Sequence, residues 1–259
     1  MKLHHVPASA GLLWVKQGIR TFWRQPLALA GMFFMFMLTV SLLSMVPWIG
    51  PAVALALLPA ASLGLMAGTR EAEQGRFPMP HLLLSAFRTD PARRKAMLTL
   101  GLLYALGSLL VMGLSALLNG GDFTQLGNGT EITEEVLQQP AFTRGLMLNL
   151  VLYAPLALLF WHAPALVYWH GIAPQQSLFY SFMACWGNKG ALCVFFLGWT
   201  AVFIGTAFVI VFIGQMLGGP QAMAALMFPL AMLLSAMFFA SVFFSFRDSF
   251  TTDDDLPPA

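Results

Sequence analysis

Residues 27–68 read LALAGMFFMFMLTVSLLSMVPWIGPAVALALLPAASLGLMAG, and this stretch decides the fold. It contains no Asp, Glu, Lys or Arg. An apolar helix of about 20 residues spans the hydrocarbon core of a bilayer, so the stretch is long enough for two crossings. The sequence PWIGP at residues 47–51 divides it and predicts a tight turn. We therefore expect a hairpin of two membrane-spanning helices, at residues 27–48 and 50–68.

The composition of the whole chain extends this interpretation beyond the first hairpin. Of 259 residues, 58% are hydrophobic and 9% are charged, and the mean hydropathy is +0.75. These values exclude both a soluble globular domain and a disordered chain. We predict an all-α, polytopic membrane protein with six transmembrane helices, which forms a single integral membrane domain over residues 1–259. The other four helices are expected at residues 96–118, 146–169, 191–217 and 222–246.

Lysine and arginine fall almost entirely on one side of this topology. If the six helices alternate in direction, twelve of the thirteen basic residues lie on the side of the N-terminal arm at 1–26. The exception is Arg144, at the end of a loop at 119–144 that also carries several acidic residues. Under the positive-inside rule both termini are cytoplasmic. The loop is then external, and the acidic tail at 248–259 is cytoplasmic.

A short apolar-faced segment precedes each odd-numbered helix. In the arm at 1–26, apolar residues recur at helical spacing on one face and three basic residues recur on another. This pattern predicts an amphipathic helix in the cytoplasmic interface, although a first helix merely extended into the cytoplasm has equal support. Related segments at 80–88 and 174–182 predict three hairpin repeats, each preceded by a short cytoplasmic interfacial segment. The expected contacts to anionic lipid headgroups or a partner are Lys16, Arg20, Arg24, Arg93, Arg94 and Lys95.

Each even-numbered predicted helix carries an interior proline, which frees a backbone carbonyl that neighbours or water must satisfy. Pro59, Pro164 and Pro229 would occupy equivalent positions if the three hairpins are repeats. These helix breaks, together with His162 beside Pro164, are candidates to line a cavity. His162 also has two other interpretations: a contact to a headgroup, haem or metal, or a hydrogen-bonded histidine beside a proline break. We favour the last, because no partner histidine is obvious on another span.

The predicted spans contain no Asp, Glu, Lys or Arg, which argues against an ion-coupled transporter. Nucleotide-binding, zinc-peptidase, dinucleotide-binding and serine-hydrolase motifs are missing from the sequence. We therefore predict no catalytic residue, metal or cofactor, and no binding of nucleic acid. An enzyme with an intramembrane site is the third-ranked hypothesis, for which His162 and His170 are the residues to test.

The sequence of residues 14–26, WVKQGIRTFWRQP, resembles the opening of an uncharacterised proteobacterial inner-membrane protein family. The sequence FRDSF at residues 246–250 is similar to the C-terminal border of that family. More distantly, the repeated hairpin layout resembles the membrane domain of membrane-anchored glycerophosphodiester phosphodiesterases, whose soluble catalytic domain has no counterpart here. The resemblance implies a multi-pass protein of the bacterial cytoplasmic membrane and carries no activity with it.

Two functional hypotheses follow from these features. The first is a non-enzymatic integral membrane protein that organises lipids or is accessory to a membrane complex, with anionic headgroups, a membrane-protein partner or a second copy of the chain as partners. The second is a carrier or channel for an apolar or amphiphilic solute, with the proline breaks along its path. The second hypothesis requires a cavity near Pro59, Pro164 and Pro229, whereas tight packing there would remove its support.

Overall fold

The computed structural model describes residues 3–118 and 140–250. These residues form nine α-helices and one short 3-10 helix, with no β-strand in the described ranges. Most of the predicted external loop at 119–144, and residues 251–259 of the predicted tail, lie outside the described residues. The helices are α1 (Ala10–Arg24), α2 (Pro26–Ser44), α3 (Gly50–Glu73), α4 (Pro91–Leu118), α5 (Pro140–Phe160), α6 (Ala163–His170), α7 (Pro174–Gly187), α8 (Lys189–Leu217) and α9 (Pro220–Phe250), with the 3-10 helix at Pro80–Leu84.

The described chain has six helical segments that are long and apolar enough to cross a membrane, which confirms the predicted number. They are α2, α3, α4, the α5–α6 pair (Phe142–His170), α8 and α9. The predicted boundaries differ by a few residues. The loop predicted at 119–144 ends early because α5 already begins at Pro140. The tail predicted at 248–259 begins late because α9 continues to Phe250.

The six segments form three antiparallel hairpins: α2–α3, α4 with α5–α6, and α8–α9. A short helical segment precedes each hairpin: α1, the 3-10 helix and α7. Each of these segments packs on a different hairpin from the one that it precedes. The 3-10 helix, which leads into the second hairpin, packs on α3 and α2 of the first, whereas α7 leads into the third hairpin and packs on α5 and α6 of the second. The first segment, α1, packs on α8 and α9 of the third hairpin.

Glycines allow α1 to approach the third hairpin at backbone distance. A Cβ atom on Gly18 would lie 2.4 Å from Cβ of Ser241 in α9, and one on Gly11 would lie 2.0 Å from the carbonyl oxygen of Ala191 in α8. Only glycine fits such contacts without a shift of the helices. On the same face Val15 and Phe22 are buried. The predicted apolar face of α1 therefore packs mainly on protein. Helix α1 ends at Arg24, and Gln25 separates it from α2.

Polar contacts join α1, α3 and α9 at one end of the bundle, which we call the basic end. The indole N–H of Trp14 donates to the Asp248 carboxylate at 2.7 Å. A guanidinium N–H of Arg247 donates to the Glu73 carboxylate at 2.7 Å, and one of Arg24 donates to the Glu73 carbonyl oxygen at 3.0 Å. These contacts bring the C-terminal ends of α3 and α9 to the same end of the bundle as α1, which precedes α2.

Candidate functional site

A cavity of about 310 Å³ lies among the three hairpins, where α2, α3, α4, α5 and α9 meet. Tyr104 lies near the midpoint of α4, so the cavity is at the middle of the spans. Its volume is at the lower end of the range for small-molecule sites. The lining residues are Phe36, Leu58, Pro59, Ser62, Tyr104, Tyr153, Ala157, Phe160, Trp161, Pro164, Phe238, Phe239 and Val242.

The cavity wall is largely aromatic and aliphatic, with a few hydroxyl groups. The phenol groups of Tyr104 and Tyr153 are hydrogen-bonded to each other, and Ser62 lies on the same wall. No Asp, Glu, Lys, Arg or His is among the described residues that line it. Among the described lining residues, Tyr153 is 37% exposed whereas Val242 is 4% exposed.

Two of the three predicted proline breaks border this cavity, namely Pro59 within α3 and Pro164 at the start of α6. Pro229 lies within α9 but is exposed on its surface, away from the lining residues. The third hairpin contributes Phe238, Phe239 and Val242 instead, from positions closer to the basic end. The equivalence of the three prolines therefore does not extend to their surroundings.

The break between α5 and α6 is stabilised by a side chain from another helix. The hydroxyl of Ser181 in α7 donates to the carbonyl oxygen of Leu158 at 2.8 Å and accepts from the backbone N–H of His162 at 2.9 Å. These two groups would bond directly to each other in an unbroken helix, four residues apart. Insertion of a side chain between them is a recognised cause of a kink. Ser181 thus supplies the partner that the break requires.

His162 is buried in a polar cluster behind the cavity and does not line it. Its Nε2 atom lies 3.1 Å from the Ser245 hydroxyl oxygen, and its Nδ1 atom lies 3.8 Å from the Cys185 sulfur. Ser245 donates its hydrogen to the Val242 carbonyl oxygen, which favours the tautomer with the proton on Nε2. The Nδ1 atom then accepts from the Cys185 thiol, whose pKa is raised by burial to about 12. This geometry is that of a hydrogen-bonded histidine beside a proline break.

The cluster also joins the second hairpin to the third. The indole N–H of Trp161 donates to the Ser245 hydroxyl at 3.1 Å, and the rings of His162 and Phe250 lie edge to face at 5.4 Å. Trp161 therefore lines the cavity and also belongs to the polar cluster, through the hydrogen bond from its indole N–H to Ser245. The described residues contain no group of three or more His, Cys, Asp or Glu side chains arranged to hold a metal ion.

The basic residues predicted to contact headgroups lie on the surface of the basic end. Lys16 and Arg20 are exposed on α1, beside the exposed side chains of Leu13 and Trp23. Arg24 is also exposed, although it donates to the Glu73 carbonyl. On this face of α1, apolar and basic side chains are both accessible.

A second group of basic residues borders a pocket of about 670 Å³ between α4 and the α6–α7 connection. Arg93 and Lys95 line this pocket, whereas Arg94 is exposed outside it. Arg93 donates to the Tyr168 carbonyl oxygen at 3.1 Å and pairs with Asp90 at 3.2 Å. A hydrogen bond from the Arg93 backbone N–H lowers the pKa of Asp90. Lys95 is the remaining cationic side chain on the pocket wall.

Three residues of this region were not predicted from the sequence as site residues: Tyr104, Tyr153 and Ser181. The chain has four tyrosines, and two of them meet in the cavity. A search for pairs of rare polar residues at mid-span depth would have selected them. Ser181 carries no such signal, because nothing in the sequence of α7 shows that it contacts His162 and Leu158, which lie 19 and 23 residues earlier.

Comparison with known proteins places this architecture in a family. The chain is 36% identical to a probable inner membrane protein of Burkholderia thailandensis, in an alignment that covers all of this chain and 97% of the relative. The chain belongs to this family of inner membrane proteins. The family assignment agrees with the six membrane-spanning helices, and it makes the chain an integral protein of the inner membrane.

Neither the name of the relative nor its location assigns a reaction or a ligand to the family. No protein-family model matches the chain, and no solved structure matches it. The resemblance to the membrane domain of glycerophosphodiester phosphodiesterases stays a prediction. The central cavity and the basic end are therefore the features from which a function of this chain is inferred.

Proposed function

We propose that this inner-membrane protein binds an apolar or amphiphilic molecule in its central cavity, as a carrier or lipid-handling protein and without enzymatic activity. The observation that carries the proposal is the cavity itself, which lies at mid-span and is lined by apolar and aromatic side chains. Concave, mostly apolar sites with a few polar groups are typical of small-molecule binding. Its neutral wall suits a molecule that is dissolved in the bilayer.

The size of the cavity limits what it would hold. About 310 Å³ accommodates a ring or part of an acyl chain, and a whole phospholipid would be too large. The neighbourhood of Tyr153 is the proposed entrance, because Tyr153 is the more exposed of the two cavity tyrosines. A molecule that enters there would leave its remaining chain in the surrounding lipid.

Filling the cavity tests this proposal. Ala157 lines the cavity, so Ala157→Phe would place a ring inside it. Ala201→Phe is the matched control, because Ala201 is exposed on membrane-spanning α8. The measurement is native mass spectrometry of gently extracted protein, with analysis of the retained small molecules. We expect the wild type and Ala201→Phe to retain a defined lipid-soluble compound and Ala157→Phe to lose about nine-tenths of it.

Equal retention by a well-folded Ala157→Phe variant would contradict the proposal. A stoichiometric protein companion in the same spectra, with no retained small molecule, would instead favour an accessory subunit. Liposome flux of the retained compound would then separate a carrier from a protein that only stores or presents it.

A second candidate function is the organisation of anionic lipid at the basic end, which we propose to be cytoplasmic. It is favoured by the accessible face of α1, on which Lys16 and Arg20 lie beside Leu13 and Trp23. Such a face suits the boundary between headgroups and acyl chains. The pocket lined by Arg93 and Lys95 would add a headgroup contact on the same end. The two functions are compatible, since the cavity and the basic end involve different residues.

A further inference from the structure

The polar groups of the cavity set a requirement for its occupant. Tyr104 and Tyr153 share one hydrogen bond, and either phenol oxygen is able to be the donor. Each tyrosine has one O–H hydrogen, and the Tyr104 hydroxyl also lies beside the Ser108 hydroxyl. When Tyr104 donates to Tyr153, the hydrogen of Tyr153 remains for another acceptor. Tyr153 is the more exposed of the pair and lies at the proposed entrance. An occupant with a hydrogen-bond acceptor, such as a carbonyl oxygen, would satisfy that donor.

The lack of charge on the described wall restricts the occupant further. An ionised group that is buried without a partner is strongly unfavourable. A fatty-acid carboxylate or a phosphate headgroup would have no cation within the described lining. The basic residues Arg93 and Lys95 line a separate pocket. The acceptor that meets the tyrosines must therefore belong to an uncharged group.

The aromatic side chains indicate the shape of that group. Phe160 packs edge to face on Tyr104 with ring centroids 4.9 Å apart, and Phe36 packs on Phe239 at 6.2 Å. These rings come from α2, α4, α5 and α9, so aromatic surface is present on several sides of the cavity. Offset and edge-to-face packing favours a flat ring as the partner. An aliphatic chain would gain no stabilisation from such ring-to-ring packing.

We propose that the cavity binds the head of a quinone-type lipid, a flat uncharged ring that bears carbonyl oxygens and an apolar tail. The proposal rests on the function proposed above and names its ligand class. The ring lies among Phe36, Phe160 and Phe239, a carbonyl oxygen accepts from the tyrosine pair, and the tail leaves through the entrance beside Tyr153. A neutral glyceride has the same carbonyl chemistry without the ring, and the experiment separates the two.

The test is equilibrium binding of decylubiquinone to the purified full-length protein, followed by quenching of tryptophan fluorescence. Trp161 lines the cavity and Trp161→Phe locates the signal there. The Tyr104→Phe, Tyr153→Phe double variant keeps both rings and removes both hydroxyls. Because the loss of one hydrogen bond changes affinity by about tenfold, we expect the dissociation constant to rise about tenfold. Tyr180→Phe is the control, because the Tyr180 side chain is exposed on α7, and it should leave the dissociation constant unchanged.

A competing neutral glyceride, monoolein, distinguishes the ligand classes. We expect decylubiquinone to bind at least tenfold more tightly than monoolein. Equal affinity for both ligands, with no effect of the double variant, would overturn the quinone assignment. A loss of the retained compound in Ala157→Phe would still support the general proposal that the cavity binds an apolar or amphiphilic molecule. Tyr153→Phe alone provides a folded variant if the buried Tyr104 does not tolerate the change. If Ala157→Phe and the tyrosine variants all bind decylubiquinone like the wild type, both proposals fail.

Discussion

Helix α8 is apolar toward both of its ends, but one end is buried against protein and the other is exposed. Near the basic end Phe195 is fully buried and packs against Trp14, which is 1% exposed. Toward the other end Phe208 and Met216 are each 72% exposed. The difference arises from α1, which covers only the first turns of α8. The close contact with α1 at its glycines, and not hydrophobicity alone, therefore sets which part of α8 is protein core.

The largest expected effect is at the crossing of α1 and α9. Gly18→Leu would force the two helices apart, because even a Cβ atom at this position would lie 2.7 Å from Cα of Ser241. We expect the free energy of unfolding to fall by about 3 kcal/mol or more. Thermal denaturation in mild detergent, followed by tryptophan fluorescence, measures the change.

Gly205→Leu is the matched control on the exposed part of α8. No atom lies within 4 Å of a Cβ at Gly205, and the backbone there is helical. We expect a change within about 0.5 kcal/mol. If both substitutions had the same effect, α1 would not be a packed element and the contrast between the two ends would disappear.

An intermediate effect is expected at the α5–α6 break. Ser181→Ala removes the hydroxyl that joins the Leu158 carbonyl and the His162 N–H, which leaves two buried backbone groups without their partner. The expected loss is about 1–3 kcal/mol in the free energy of unfolding. Ser44→Ala is the control, since the Ser44 hydroxyl bonds only to the exposed Val40 carbonyl of its own helix. A stable Ser181→Ala variant would show that the break needs no outside partner.

The smallest effect per residue is expected at the surface of the basic end. Changing Lys16, Arg20 and Arg24 to Gln should weaken binding of the protein to anionic lipid by about 1 kcal/mol per charge or less. Thermal stability should change little, because all three side chains are exposed. Exchange of labelled anionic lipid with protein in nanodiscs measures the binding.

Arg144→Gln is the control for these charges, because Arg144 is exposed at the start of α5, at the other end of the bundle. It should leave the affinity for anionic lipid unchanged. An unchanged affinity in the triple variant as well would exclude the α1 surface as a lipid contact.

Much of the fold was predictable from the sequence and little of the site was. The apolar stretches and the Pro-rich turn at 47–51 predicted the helices within a few residues, because span length is set by bilayer thickness. The prolines at 59 and 164 pointed to the cavity region. His162 and Pro229 were also predicted there, but one is buried in a hydrogen-bonded cluster and the other is exposed. The tyrosine pair that carries the ligand proposal gave no linear pattern, since its members are 49 residues apart.

The sequence by itself determined the membrane class, the six spans and the grouping of basic residues at one end. These properties depend on length, hydropathy and charge, which are local. Only the tertiary structure decided that each preceding segment packs on another hairpin, that Ser181 completes a distant helix break and that a neutral aromatic cavity remains among the hairpins. In a bilayer, lipid-facing and buried side chains are both apolar, so hydrophobic periodicity does not distinguish the surface from the core.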